Sequence, residues 1–218
     1  MGKIKPELKN RLDLKKTSLR RLFLHIEREK AKGESDLEGL LQGMVYIQMR
    51  LPIEKITKQY EDNIKKKLEA NIYQAKIREA TEKDLENVTI IYNKAWLTSN
   101  TPFRPIKKET LKSIFKDPDT IFLIARVYGI DGGFVIIDLE GDNKEFGVIA
   151  GLGILPRFQR KGLGTILGLA AWSYLKEKGI KELRCEVYKD NQASYQFIKG
   201  LQFEEFGEKI YRKEDFEL

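Results

Sequence analysis

The sequence predicts an α/β fold in which a central sheet is flanked by helices, preceded by an all-helical N-terminal extension. Three observations support this prediction. Residues 147–165 read as a strand, a glycine turn and a helix, and residues 183–194 read as a second strand followed by a helix. Strand and helix patterns alternate after residue 75, which favours an α/β domain. We therefore expect a helical extension over residues 1–74 and an α/β domain over residues 75–218.

The extension shows apolar residues at helical spacing. Helices are expected at residues 18–32, 36–50 and 54–73. Ser35 and Glu38 form a capping box for the second helix, and Pro52 precedes the third. The third helix carries a stripe at spacings of three and four, namely Ile53, Ile56, Tyr60, Ile64, Leu68 and Ile72. Such a stripe must be buried among the helices themselves, on the α/β domain, or at a homodimer interface. We favour a small helical subdomain that leans on the α/β domain.

The net charge of +7 arises in residues 1–76, nearly all of it in the extension. Acidic and basic residues balance after residue 76. Basic residues there could contact RNA or the ribosome, and they include Lys15, Lys16, Arg20 and Arg21. A solvated basic face is the favoured reading, because no aromatic residues are interleaved for base stacking.

The α/β domain has an order of elements that can be read from caps and apolar runs. A strand at 75–79 is followed by the capping signal Thr81 to Asp84, a helix that ends near Trp96, and a loop over 98–105. The remaining expected elements are a helix to Phe115, strands near 121–127, 133–139 and 146–155, and two closing strands near Phe203 and Ile210.

The turn after the 146–155 strand carries the strongest functional signal. Pro156 ends the apolar run, and Gln159-Arg-Lys-Gly-Leu-Gly-Thr165 then opens a helix. Glycines at 162 and 164 allow backbone conformations closed to other residues and close approach of a ligand. The free N–H groups and dipole of the new helix favour phosphate. The spacing fits neither a P-loop nor a dinucleotide fingerprint.

The spacing Gln-x-x-Gly-x-Gly, with Asn191 about thirty residues downstream, resembles the acyl-CoA pyrophosphate loop of the GNAT superfamily of N-acyltransferases. The resemblance covers about residues 75–212 and is closest in motif to the ribosomal-protein N-terminal alanine acetyltransferases. It implies a GNAT fold with a mixed, splayed sheet, and acetyl-CoA as cosubstrate. Cofactor contacts are implied for Leu152, Gly153, Ile154, Gln159, Arg160, Lys161, Gly162, Leu163, Gly164, Thr165 and Asn191.

The resemblance also implies catalytic residues. Glu186 corresponds to the general base of the alanine acetyltransferases, and Glu145 is a second choice. The family usually places a general-acid Tyr seven residues after the Asn, where this sequence has Ile198. Tyr195 lies one turn earlier and could replace it, although an aromatic residue that packs the helix onto the sheet is the favoured reading. A missing acid slows thioester cleavage without abolishing it, because a thiol with a pKa near ~8.5 leaves as thiolate.

The acceptor is a primary amine that attacks the thioester directly. A peptide α-amine, with a pKa near ~8, needs only a modest base, whereas a lysine near ~10.4 needs a stronger one. Trp96, Phe103 and Arg104 are candidate acceptor contacts, with core aromatics and a solvated Arg as the alternative. A small amine, such as a polyamine, amino sugar or amino acid, is the second acceptor class, and a non-catalytic acyl-CoA-binding module is a third reading.

Composition argues against several other classes. The single His25 and single Cys185 give no metal-ligand spacing and no internal disulfide, and a small buried hydrophobe is the favoured role for Cys185. No apolar run approaches ~18 residues, and the Lys-rich N-terminus lacks the apolar core of a signal peptide. We expect a cytoplasmic protein without a metal and without membrane contact.

Overall fold

A computed structural model of the chain describes residues 43–69, 75–99 and 105–211. Strands are β1 (Met44–Pro52), β2 (Ala75–Glu79), β3 (Thr120–Val127), β4 (Ile130–Glu140), β5 (Phe146–Ile154), β6 (Glu182–Tyr188) and β7 (Glu204–Tyr211). Helices are α1 (Lys58–Glu69), α2 (Leu85–Leu97), α3 (Lys108–Phe115), α4 (Leu163–Glu177) and α5 (Gln192–Gly200). The predicted helix at 18–32, the basic residues between Lys15 and Arg21, and the loop residues Phe103 and Arg104 lie outside the described residues.

Within these ranges, seven strands form one mixed sheet in the order β2-β3-β4-β5-β6-β1-β7. Neighbouring strands are antiparallel except β5 and β6, which are parallel. The main core combines apolar side chains of the sheet with those of the helices that pack on it. The predicted α/β fold with a mixed central sheet is thereby confirmed.

The parallel pair separates halfway along its length. Pairing begins at Phe146 and Glu182 and stops at Ile149 and Cys185. The last five residues of β5 therefore have no partner on the β6 side, and the last three of β6 none on the β5 side. A shift in the β4–β5 register between Ile136 and Ile137 lies beside this point, and bulges of this kind bend a strand. The sheet thus opens into a gap between two strands, which is the predicted splay.

The helix predicted over residues 36–50 is wrong for residues 44–50, which form β1. β1 lies inside the sheet, antiparallel to both β6 and β7. Buried side chains occur on both of its faces, from Met44 to Leu51, because an interior strand is covered on both sides. The expectation of an all-helical extension therefore fails here, and β1 belongs to the same sheet as the strands after residue 75.

The C-terminal end of the sheet also differs from expectation. Two closing strands were expected near Phe203 and Ile210, but a single strand, β7, runs from Glu204 to Tyr211. The place between β6 and β7 is taken by β1. Strand β1, the first strand of the described chain, thus takes the place of the second C-terminal strand that was expected.

Helix α1 shows where part of the predicted apolar stripe is buried. Ile56, Tyr60 and Ile64 are buried in the main core. The Tyr60 hydroxyl donates to the Leu201 carbonyl at 2.8 Å, and Trp172 Nε1 of α4 donates to Glu61 at 3.2 Å. Of the three arrangements considered, α1 docks on the α/β domain. It starts at Lys58 rather than at residue 54.

The remaining predicted elements are confirmed within a few residues. The signal from Thr81 to Asp84 is a capping box ahead of α2, and Asp84 also accepts two 2.7 Å hydrogen bonds from Arg78. Helix α2 passes Trp96, and α3 ends at Phe115 as expected. Among the described helices, none combines the length and apolarity required to cross a membrane.

Candidate active site

A cavity of about 770 Å³ occupies the gap between the diverging ends of β5 and β6. Its walls come from seven elements: the ends of β5 and β6, two residues of β4, the C-terminal end of α2, the N-terminal ends of α4 and α5, and one residue of β1. Most predicted site residues lie on this cavity. They are Trp96, Leu152, Ile154, Gln159, Arg160, Gly162, Gly164, Thr165, Glu186 and Asn191.

The glycine turn has the backbone geometry of an anion cradle. Gly162 is the N-cap of α4 and has φ 82° and ψ −7°. Arg160 also lies in the left-handed region, with φ 56°. Such turns aim successive N–H groups at one point, and the positive end of the α4 dipole adds to them. Glycine is required at 162 because a side chain there costs about 1–2 kcal/mol.

Gln159 fastens this turn to the neighbouring elements. Its side-chain amide donates to the Ile154 carbonyl at 3.0 Å and to the Thr98 hydroxyl at 3.3 Å. It thereby links the cradle to the end of β5 and to the residue that follows α2. Gln159 was predicted only to contact the cofactor, and the structure shows that it also positions the turn.

Three predicted cofactor residues do not line the cavity. Lys161 is exposed and donates to the Arg157 carbonyl at 3.0 Å. Leu163 is buried in the core. Gly153 packs against Phe134 and Trp96, since an added Cβ would lie 2.6 Å from the first ring and 3.1 Å from the second. These three residues therefore lie behind the cavity wall or outside the cavity.

Helix α5 forms the wall opposite the cradle. Asn191 is its N-cap, buried and accepting a 3.0 Å hydrogen bond from the Ser194 N–H, as its sequence position predicts. A Cβ on Gly164 would lie 3.2 Å from the Phe197 ring, so glycine there also lets α4 and α5 approach each other. Ile198, where the resembling family has Tyr, is buried in this wall and offers no proton.

Glu186 lines the cavity from the end of β6 that is no longer paired with β5. One carboxylate oxygen accepts from Gln48 Nε2 of β1 at 3.1 Å, and the other accepts from the Tyr211 hydroxyl at 2.5 Å. Gln48 lies on β1 and Tyr211 on β7, the two strands beyond β6 in the sheet. The residue predicted as base is thus held at the cavity wall.

The two alternative catalytic residues are not brought to the cavity. The Tyr195 hydroxyl donates to Glu205 at 2.5 Å on the exposed side of α5, and this hydrogen bond raises the pKa of Tyr195. A raised pKa and a position off the cavity wall give its predicted role as general acid no support. Glu145 lies in the turn before β5, where backbone N–H groups, including that of Asn143, lower its pKa.

Trp96 is the predicted acceptor contact that the described residues include. It lines the cavity and stacks on Tyr92, with ring centroids 4.3 Å apart. Phe134 of β4 lies against the same stack at 6.3 Å from Trp96. Trp96 therefore combines a core role with a cavity surface.

Several cavity residues were not anticipated from the sequence. Tyr46, Asp138, Glu140 and Tyr188 all line it. Tyr46 was assigned to a helix, so its position beside Tyr188, at 5.5 Å between ring centroids, was hidden. The signal that could have revealed it is the alternation of apolar and polar residues from Ile47 to Leu51, between Gly43 and Pro52, which is typical of a strand.

Cys185 also borders the cavity, next to Glu186. It is buried and unpaired, and burial, aided by the Glu186 charge, raises the pKa of its thiol. A thiol held neutral is a poor nucleophile. The expectation of a small buried hydrophobe is confirmed. The described residues contain no group of three or more His, Cys, Asp and Glu that could hold a metal ion.

Known proteins resemble the chain in sequence and in fold. An uncharacterized N-acetyltransferase of Methanocaldococcus jannaschii is 29% identical over 136 residues, 59% of this chain and 60% of the relative. An aminoglycoside N-acetyltransferase solved with CoA superposes with a TM-score of 0.54 at 18% identity, covering 65% of this chain and 95% of that one. The ribosomal-protein-S18-alanine N-acetyltransferase of Escherichia coli superposes with a TM-score of 0.53 at 20% identity, covering 62% and 80%.

These similarities differ in what they establish. At such identities the solved structures show the fold, and the chain spans less than two thirds of the length of its sequence relatives. The family model described as "Acetyltransferase (GNAT) family" matches residues 86–203, which is more than half of the 218 residues. That range contains the glycine turn, the splayed strands and Glu186. The chain belongs to the acetyltransferase (GNAT) family, whose cosubstrate is acetyl-CoA.

Proposed function

We propose that the protein transfers the acetyl group of acetyl-CoA to a primary amine, with a protein or peptide α-amine as the first acceptor class. The observation that carries this proposal is one continuous cavity that joins the cradle at Gly162 to the carboxylate of Glu186 through the β5–β6 gap. Such a cavity holds the diphosphate at one end and the acceptor at the other.

The cofactor fits the residues present. The N–H groups at the start of α4 and the Arg160 side chain face the diphosphate. The pantetheine arm lies in the gap, beside Asn191. β5 beyond Ile149 lacks a strand partner on this side, so its main chain can hydrogen-bond the arm and, near Ile154, the thioester oxygen. This is the electrostatic stabilisation that acyl transfer requires.

Glu186 acts as the base, directly or through water. It removes a proton from the incoming ammonium, and the neutral amine attacks the thioester carbonyl. CoA then leaves as thiolate, and the acylated nitrogen gives up its second proton to water. Ile198 supplies no proton to that thiolate, so departure relies on the thiol pKa near ~8.5. The reaction is therefore slower than with a positioned acid, which contributes about 10²- to 10⁴-fold.

The α-amine class is supported by chemistry and by motif. An amine with a pKa near ~8 is about a tenth neutral at pH 7, so a carboxylate base suffices for it. The motif around Gly162 is closest to ribosomal-protein alanine acetyltransferases, and an enzyme of that name shares the fold. The ring of Trp96 borders the acceptor end of the cavity.

A small polycationic amine is the second candidate, and a specific observation favours it. Asp138 and Glu140 of β4 line the same cavity as Glu186, so three carboxylates face the acceptor. Negative charge at this density attracts acceptors that carry several ammonium groups. A neighbour in fold is named an aminoglycoside N-acetyltransferase.

The test is CoA release from acetyl-CoA with a panel of peptides, polyamines and amino sugars. We expect release with peptides that carry a free α-amine, none with the same peptides N-acetylated, and a rate about 10²- to 10⁴-fold lower for Glu186→Gln. A lower KM for polyamines than for peptides, lost in Asp138→Asn, would favour the second acceptor class. CoA binding without turnover on any amine would favour a non-catalytic acyl-CoA-binding module.

Glu208→Gln is the matched control. Glu208 is an exposed carboxylate on β7 that contacts Lys189 at 3.3 Å, away from the cavity wall. Its loss removes one negative charge from the same strand that carries Tyr211. We expect its turnover to equal that of the unsubstituted protein, so an equal loss in Glu208→Gln and Glu186→Gln would remove Glu186 from the mechanism.

A further inference from the structure

We propose that Gln48 and Tyr211 are positioning residues that orient the carboxylate of Glu186, which makes β1 a part of the catalytic apparatus. The inference rests on the proposed function, because it needs Glu186 as the base. It assigns a role to residues outside the family match at 86–203.

The first step concerns the carboxylate. Glu186 stands past the end of the β5–β6 pairing, so β5 does not limit its side-chain rotation. Its two oxygens are instead taken by one donor each, Gln48 Nε2 at 3.1 Å and the Tyr211 hydroxyl at 2.5 Å. Two donors on opposite oxygens fix the plane of a carboxylate.

The second step concerns how the donors are held. Gln48 is directly opposite Glu186 in the β1–β6 register and opposite Gly207 in the β1–β7 register. A Cβ at 207 would lie 3.0 Å from Gln48 Oε1, so the glycine leaves room for the amide. Cross-strand neighbours on one face of a sheet lie close enough for such a contact. Gln48 therefore reaches Glu186 from a defined place.

The third step concerns Tyr211. Its side chain is buried, and its ring packs edge-to-face on Tyr46 with centroids 5.4 Å apart. Tyr46 belongs to β1 and also lines the cavity. Aromatic pairs of this geometry stabilise each other by about 0.5–1.5 kcal/mol. Strand β1 thus supplies one donor itself and supports the ring that carries the other.

The proposal is tested by double-substitution cycles with Glu186→Gln. Gln48→Met and Tyr211→Phe each remove one donor and keep the size of the side chain. We expect each to lower kcat about 10- to 100-fold, as for loss of a hydrogen bond to a charged group, with the KM for acetyl-CoA unchanged. In the Glu186→Gln background, we expect neither substitution to lower kcat further.

The cycle separates positioning from a general structural effect. A structural role lowers kcat by the same factor in both backgrounds, and that result would overturn the proposal. Thermal unfolding of each variant, with Glu208→Gln as control, checks that the sheet is intact. If Glu186→Gln itself turns over at the full rate, the base assignment fails, and that outcome is distinct from additive losses at Gln48 and Tyr211.

Discussion

Replacing Gly162 by Ala tests the cradle directly. Gly162 has φ 82°, and a Cβ in this conformation costs about 1–2 kcal/mol. This strain lowers the free energy of unfolding, and it is relieved to the extent that the turn rotates. Rotation misaligns the N–H groups at the start of α4, and each hydrogen bond to a charged phosphate oxygen contributes about 1.5–3 kcal/mol. Loss of one such bond weakens CoA binding about 10- to 100-fold.

Gly179→Ala is the control for backbone strain. Gly179 follows the other end of α4, has φ 73°, and would place its Cβ in open space. Both variants should lose about 1–2 kcal/mol of unfolding free energy in urea. Calorimetric titration with CoA should then show weaker binding for Gly162→Ala alone. Equal CoA affinity in the two variants would refute the cradle.

Three further outcomes are expected. Gly164→Ala should weaken CoA binding, because the added Cβ would lie 3.2 Å from the Phe197 ring. Adding Phe197→Leu to that variant should restore CoA binding. Calorimetric titration measures both affinities. Because burial raises the pKa of Cys185, the folded thiol stays neutral while the unfolded thiol ionises near ~8.5. Unfolding free energy should therefore fall above that pH by up to about 1.4 kcal/mol per pH unit, and Cys185→Ala should remove the decline. Hydrogen bonds from Arg78 lower the pKa of Asp84. The stability that Asp84 contributes is therefore present above its unfolded pKa near ~3.9 and is lost as pH falls. Asp84→Asn should lower the free energy of unfolding by about 1 kcal/mol at pH 7, and this difference should shrink in urea titrations near pH 3.

Local rules predicted the parts of the site that depend on neighbouring residues in the chain. The cradle needs glycine where φ is positive, and the turn at Gly162 has that conformation. The cap at Asn191 needs a side-chain acceptor three residues before a helical N–H, and Ser194 donates to it. Each feature spans a few residues, so propensity and spacing suffice to predict it.

Burial on both faces weakened the local signal for β1. Met44 to Ile47 are all apolar, so the period of two that marks a strand is clear only from Ile47 to Leu51. The same run of apolar residues is compatible with a buried helix. Two of the residues that surround Glu186, Tyr46 and Gln48, were missed for this reason alone.

The sequence by itself indicated the family and, through that resemblance, the residue proposed as base. It also predicted the glycine turn proposed to bind phosphate, because the physics of such a turn is local. Only the tertiary structure decided that β1 lies between β6 and β7, that Tyr195 points to Glu205, and that Asp138 shares a wall with Glu186. Those arrangements depend on strand order and on contacts between distant residues. A pairing such as Gln48 with Glu186 joins residues 138 positions apart, and no local pattern encodes it.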